Sequence, residues 1–416
     1  MDREQESTWL LAALRGHFGA AVADLRVRPF AVAGMSVLSK VYSASGTEVA
    51  SGRRVALVCK LLEDEPTRSS FQLAMHFDNE VFFFGELLPF LLESSGGGGD
   101  DDGDVSGLFP RYRFAHRDDL QFLVAMDDLT PLGYATPTKP LDRAHAAMAL
   151  EALARFHALS YVAKRTRPGE FRALMSRLQY PRKTSYMRAM LETLNDNCVR
   201  RAVGLYREAR PEGSARYSRH LRALVDDSSE LYGELYEGRE PLAALCHGDL
   251  TRDNLLFRHD GEGLPAAVRL IDFQLLSYSS PAVDVFLVLF AATDAAAREA
   301  HWDSLLDGYH AALIAAVSRS AGCCSQESLL RDLGREVFMA EFKKYCHQAF
   351  YVNNFFEPVR RLEPEKRGVL MKALVEDGTC LSKLKPLFAD LNNSYSDEYK
   401  LHVVTMLERV LKFKAS

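Results

Sequence analysis

The chain has no run of roughly 18 consecutive apolar residues, the length a membrane-spanning helix requires. Nor does it contain a C-x-x-C pair. Its seven cysteines (Cys59, Cys198, Cys246, Cys323, Cys324, Cys346 and Cys380) are odd in number, and only Cys323 and Cys324 are close in sequence. Adjacent cysteines rarely form a structural disulfide, so all seven read as reduced thiols of a cytoplasmic protein. The opening residues, MDREQESTWLLAALRGHFG, lack a basic stretch followed by an apolar one; they predict a short amphipathic helix, not a signal peptide. Positive charge is not in excess either. Lys and Arg number 51 against 56 Asp and Glu, a net charge of −5, which argues against a nucleic-acid partner. A phosphate site stays open, since it needs only a few local cations. No internal repeat is visible.

What is present is ordinary globular composition, 47% hydrophobic and 26% charged, over 416 residues. That length suits one large two-lobed unit or two domains. Residues 26–34, 40–45 and 53–62 carry alternating or β-branched apolar positions and predict strands. Residues 69–90 have apolar residues at helical spacing and predict a helix ending near Pro89. Residues 94–107, SSGGGGDDDGDVSG, have almost nothing to bury and predict a flexible insert. Residues 108–129 predict two more strands with a turn at Arg117–Asp119. A strong helical pattern begins near residue 141 and dominates thereafter, interrupted by a β-rich stretch from Leu245 to Leu276. Strands first and helices later predict an α+β fold with a small sheet lobe joined to a larger helical one near residues 127–135.

The informative segment is LCHGDLTRDNLLFRHDGEGLPAAVRLIDFQ, residues 245–274. His247-Gly248-Asp249 is followed by Asn254, an apolar strand, a turn at Asp260–Gly263 and a second strand bearing Asp272. Phosphoryl transfer explains why these residue types belong together. One carboxylate, Asp249, can accept the proton of an attacking hydroxyl. A second carboxylate and an amide oxygen, Asp272 and Asn254, can hold Mg²⁺ through hard oxygen ligands. They can do so provided the two strands form a hairpin that brings both to one end.

H-G-D-L-x-x-x-N with a downstream I-D-F resembles the kinase catalytic loop and metal-binding element, and more closely the aminoglycoside and choline phosphotransferases. The fuller string HGDL-x-x-x-N-x-x-F…RLIDFQ…S-P-x-x-D resembles the ecdysteroid-kinase-like family over roughly residues 30–400. The resemblance implies a protein-kinase-like two-lobed fold, with a small antiparallel β lobe (1–129) that binds nucleotide and a mainly helical lobe (130–416). The catalytic loop would span 245–257 and the metal-binding segment 268–276. It implies ATP and Mg²⁺ as cofactors and a small-molecule alcohol as substrate. Lys60, ending the strand VALVCK, falls where a kinase places its phosphate-binding lysine, and Glu80 falls where an ion pair would fix it. Gly34 lies in the expected phosphate-covering turn, although Ser36 and Val37 replace the usual Asn-aromatic pair. Ala125–Leu129 resembles the family's V-L-E-D-L hinge, whose backbone, at Asp127 and Leu129, would meet adenine, with the Asp127 and Asp128 carboxylates capping or solvated. Arg252 is a candidate phosphate contact, with Thr251 standing where the family more often has an aromatic.

His157 in ARFHALS and His247 predict packed, hydrogen-bonded histidines instead of proton shuttles. Asp284 predicts an anchor for the catalytic loop. It comes only twelve positions after Asp272, too soon for the long segment ending in A-P-E on which protein kinases dock peptides, and Gln274 replaces the glycine of D-F-G. A small acceptor is therefore expected, and no protein, nucleic-acid or membrane partner. The acceptor would lie between the catalytic loop and the helices of 175–235 and 336–360. Phe350, Tyr351, Phe355 and Phe356 are candidates for an apolar wall that would suit a steroid, against the plainer reading of a helix core. The alternative to an active kinase is an inactive nucleotide- or metabolite-binding pseudokinase, which the altered Gly34–Ser39 turn would favour.

Overall fold

The computed structural model describes residues 2–30, 39–64, 72–96, 105–180, 198–226, 238–320, 325–360 and 396–416. Gly34, its turn and most of the Gly/Asp-rich insert lie outside them.

Helix α1 (Arg3–Phe18) opens the chain and is capped by Asp2, whose carboxylate accepts the Glu4 and Gln5 amides. Strands β1 (Val22–Pro29), β2 (Ser39–Glu48) and β3 (Arg54–Leu62) follow. Then come helix α2 (Leu73–Phe82), a π turn (Phe83–Leu87) and α3 (Leu88–Ser94), before β4 (Tyr112–Arg117) and β5 (Phe122–Asp127). The five strands form one antiparallel sheet in the order β1-β2-β3-β5-β4.

Period-two alternation decides what each face of the sheet carries. Leu57, Cys59 and Leu61 of β3, with Leu123 and Ala125 of β5, pack against Leu10 and Leu14 of α1. Leu62, Val124 and Met126 join Leu73 and Phe77 of α2 in the main core. Lys60 lies on the α2 side because its neighbours Cys59 and Leu61 are spent on α1. A buried Glu6 ties α1 down, taking Lys40 and the Tyr42 hydroxyl of β2.

The helix expected to end near Pro89 runs on to Ser94. The π turn is the reason. There the Leu88 amide bonds to the Phe83 carbonyl five residues back, and the loosened turn admits a ring that has no N–H to give. At the far side of the insert, Ser106–Leu108 form a 3₁₀ turn with Leu108 buried, so Ser106 and Gly107 belong to regular structure and not to the flexible stretch expected over 94–107.

The C-terminal part is built on α4 (Arg143–Thr166), buried along most of its length from Ala146 to Ala163. Strands β6 (Ala244–Cys246), β7 (Leu255–His259), β8 (Pro265–Leu270) and β9 (Ser277–Ser279) form two small antiparallel pairs, β6-β9 and β7-β8. Helices α5 (Ala282–Leu287), α6 (Ala295–Arg319), α7 (Arg335–Arg360) and α8 (Asp397–Ala415) pack into the same core. The α+β arrangement is the expected one, an antiparallel sheet first and helices after. Among the described residues, no helix is long and apolar enough to cross a membrane.

Helix α8 closes over α7 beside His347, which is almost wholly buried and meets Lys414 Nζ at 2.9 Å. Burial, aided by that ammonium, pushes the His347 pKa down to about 3. Its ordinary value is near 6.5, so in the window between, the unfolded chain binds a proton that the native state refuses. Stability is therefore full above about pH 6.5 and falls on acidification, by up to ~1.4 kcal/mol per pH unit from this residue. His347→Leu should flatten the pH dependence of urea unfolding between pH 6.5 and 4 by about one proton. An unchanged slope would show that His347 is not the group responsible.

Candidate active site

The β7-β8 hairpin does what the spacing required. Leu255 pairs with Leu270, and the Ile271 amide bonds to the Asn254 carbonyl at 3.1 Å, so Asn254 and Asp272 leave the same end of the ladder. Asn254 Nδ2 donates to the Asp249 carboxylate (3.0 Å) and to its backbone carbonyl (2.7 Å). With Nδ2 committed there, Oδ1 is the atom Asn254 has left to offer a cation.

Lys60 is buried, and its ammonium bonds both Glu80 oxygens, at 2.8 and 3.1 Å. Asp272 Oδ1 sits 2.9 Å away on the other side. Asp272 reaches it from a left-handed backbone, φ +69°, which a non-glycine residue adopts at a cost of ~1 kcal/mol. Burial works against the Lys60 charge, but Asp272 and Glu80 outweigh it and hold the ammonium above its ordinary pKa. Glu80 is itself fully buried and also accepts the Phe273 amide at 3.2 Å. Lys60 meets two carboxylates, those of Glu80 and Asp272, and a hard dication would balance the excess. The donor set is all oxygen and fits Mg²⁺.

The loop carrying Asp249 hangs from Asp284. Its carboxylate, 0% exposed, accepts the His247 amide (2.6 Å) and the Gly248 amide (2.8 Å). His157 Nε2 adds a third contact at 3.1 Å, and its Nδ1 meets the Tyr309 hydroxyl at 2.7 Å. Burial alone would raise the Asp284 pKa, yet His157, His247 and the Gly248 amide bring it below the ordinary carboxylate range. His247 also bonds the Ile271 carbonyl through Nε2 (2.9 Å), joining loop to hairpin, and burial lowers its pKa so that it stays neutral. Cys246 lies beside His157 and Asp284. Burial pushes its thiol pKa far up, so it is a protonated sulfhydryl, its Sγ against the Ser279 and Ser280 carbonyls and not a metal ligand.

Several contributors were not legible in the sequence. Gln274 reaches Glu80 with its side-chain amide (3.4 Å), and its carbonyl meets His76 Nδ1 of α2 (3.3 Å). Asn79, one residue before Glu80, clamps the backbone of Gln179 from both sides (2.8 and 3.0 Å). Phe273 stacks on Phe83 at 4.2 Å and leans on His247 at 4.6 Å, all within the core. Signals of this kind have no local period; only the side-chain types are visible beforehand.

The hinge carboxylates are locally engaged. Asp127 is not a cap but, partly exposed, pairs with the Arg113 guanidinium, whose Nη2 lies 3.0 Å from Oδ2, while Asp128 caps Thr130. The Leu129 carbonyl already accepts the Leu132 and Tyr134 amides, so its N–H is what this residue can offer a purine edge. Arg252 Nε lies 3.9 Å from Asp253, a loose contact that leaves the guanidinium on the catalytic loop uncommitted to a strong pair. Phe350 and Tyr351 are core residues, 0% and 3% exposed, with the Tyr351 hydroxyl donating to the Leu224 carbonyl. They are not an acceptor wall; the side chains of Phe355 and Phe356 lie outside the described residues.

The model of the ecdysteroid kinase-like family matches residues 34–321, well over half of the chain and the whole of this constellation. No curated protein matches the chain.

Gly248 has φ +82°, and a Cβ there would lie 2.0 Å from the Leu275 carbonyl oxygen, backbone that cannot step aside. Gly263 has the same φ with open space around it. Gly263→Ala should cost only the backbone strain, ~1–2 kcal/mol. Gly248→Ala should cost clearly more and remove any activity. Thermal unfolding of the two variants checks this, and equal losses would contradict the described loop packing.

Proposed function

Because the chain belongs to the ecdysteroid kinase-like family, we propose that it transfers the γ-phosphoryl group of ATP, with Mg²⁺, to a hydroxyl of a small molecule. The observation that carries this reading is the convergence of Lys60, Glu80, Asp272, Asn254 and Asp249 from four separate elements. Lys60, steadied by Glu80, binds the α- and β-phosphates. Asn254 Oδ1 and Asp272 would hold the metal, and Arg252, on the same loop, would meet the γ-phosphate. The Leu129 N–H, with the backbone of Asp127, receives the adenine edge, and Gly34 belongs to the turn above the phosphates. Bound Mg²⁺ would neutralise charge on the phosphates and orient them.

Asp249 takes the hydroxyl proton while the acceptor oxygen forms its bond to the γ-phosphorus and the bond to the β-phosphate oxygen breaks. The Asn254 amide and the suspended loop keep that carboxylate aimed. A small acceptor is favoured by what lies between Asp272 and Asp284. Those residues are consumed by a 3₁₀ turn (Phe273–Leu275), β9 and the start of α5, leaving no peptide-docking segment. The resemblance points first to ecdysteroids and other apolar alcohols, and the cytoplasm is the proposed location.

Mg·ATP at a hundredfold excess over its dissociation constant should stabilise the protein by ~2.7 kcal/mol, read as a rise in Tm. Lys60→Ala and Asp272→Ala, each compared with its own ligand-free Tm, should lose that rise. Its absence in the wild type would favour the pseudokinase reading. Asp249→Asn should keep the rise while turnover on an alcohol acceptor drops by about 10²–10⁴. Undiminished turnover would remove Asp249 from the role of base.

A further inference from the structure

The end of the catalytic hairpin remote from Asn254 and Asp272 carries a second group of ligand-type side chains. Asp142 caps α4, its Oδ1 accepting the backbone N–H of His145 at 3.0 Å and the ring Nδ1 of the same residue at 2.8 Å. An ionised carboxylate can only accept, so the ring proton of neutral His145 sits on Nδ1 and Nε2 presents a bare lone pair. His259, the last residue of β7, places its Nε2 2.9 Å from that lone pair, with the ring centroids 5.2 Å apart. His145 is held edge-on against Phe257 (4.9 Å) with its side chain 17% exposed, whereas His259 is exposed and can adjust.

We propose that His145 and His259 form a surface site for a borderline transition-metal dication, Zn²⁺ in the first instance, which clips the start of α4 to the distal end of the β7-β8 hairpin. At present one proton lies between the two nitrogens. On binding, the metal takes its place, and neutral His259 shifts that proton from Nε2 to Nδ1, so no charge is lost or gained by the rings. Zn–N bonds of about 2.0–2.1 Å at a tetrahedral angle set the nitrogens roughly 3.3 Å apart. His259 therefore backs away by a few tenths of an ångström and turns its ring, which an exposed side chain can do. Asp142 supplies the carboxylate–histidine–metal arrangement that fixes the tautomer and raises ligand basicity. Water completes the shell. Imidazole nitrogens select against Mg²⁺, so the site is chemically separate from the oxygen-lined cation site at the other end of the hairpin.

The test is equilibrium dialysis of the metal-stripped full chain against micromolar Zn²⁺ in millimolar Mg²⁺, with bound zinc measured by elemental analysis. About one equivalent is expected for the wild type, weakened at least tenfold in His259→Gln and in His145→Gln, and about tenfold in Asp142→Asn. The metal-free Tm of His259→Gln should match the wild type, because its side chain is exposed. Zinc binding that is unchanged in His259→Gln would place the ion on thiols elsewhere and overturn the site, as would no binding by the wild type.

Discussion

A lysine ammonium almost out of reach of water imposes the strictest demand in this molecule. Removing one partner from a buried ion pair costs about 3–5 kcal/mol, because the remaining charge cannot be rehydrated. Lys60 therefore ties together three pieces of structure far apart in the sequence. The sheet must present it on the face turned to α2, α2 must bring Glu80 beneath it, and the hairpin must end where Asp272 can reach it. Each demand has its own support. Helix α1 occupies the opposite face of the sheet, Asn79 and His76 pin α2 to segments of the C-terminal part, and a left-handed backbone at Asp272 accepts strain to close the contact.

The second buried charge solves a different problem. Among the described residues Asp284 meets no lysine or arginine; it is satisfied by two loop amides and by a histidine that a tyrosine holds from behind. That arrangement orients backbone instead of adding much stability, and its product is the fixed direction of the residues from His247 to Asp249. Phe273 couples the two systems, since its amide binds Glu80 while its ring packs against His247. Moving the loop would thus disturb the lysine pair, and the reverse.

How much of this was readable beforehand follows from how each feature is encoded. Asp249, Asn254 and Asp272 were legible because a reacting centre needs particular residue types at short spacing, and a tight hairpin fixes the distance between them. The Lys60–Glu80 pair was legible through the resemblance, which sets a lysine at the end of a strand before a helix bearing a glutamate, and the hydrogen-bonded roles of His157, His247 and Asp284 were expectations carried by the same family motifs. Tyr309, His76, Asn79 and Gln274 were not legible. Their contacts span from about 100 to nearly 200 residues, and a single polar side chain in an amphipathic helix looks the same whether solvated or bonded. The continuation of the helix through Pro89 was missed because a π turn leaves no compositional mark. The aromatic run in α7 read two ways, and burial of its described members decided for core.

The pairing of Lys60 with Glu80 rests on a helix that is itself tied down, and that bears on control. In a kinase regulated by helix displacement, the pair is broken at rest and its formation is the switch. Here α2 is clamped through Asn79 to Gln179 and through His76 to the Gln274 carbonyl, so displacing it would rupture several buried hydrogen bonds at once. The stretch from Asp272 to Asp284, fully built into turn, strand and helix, offers no segment to reposition either. Under the phosphotransferase reading, the rate is then governed by the supply of acceptor and cation to a site already assembled. Under the same reading, its selectivity resides in what the acceptor meets beyond the catalytic loop.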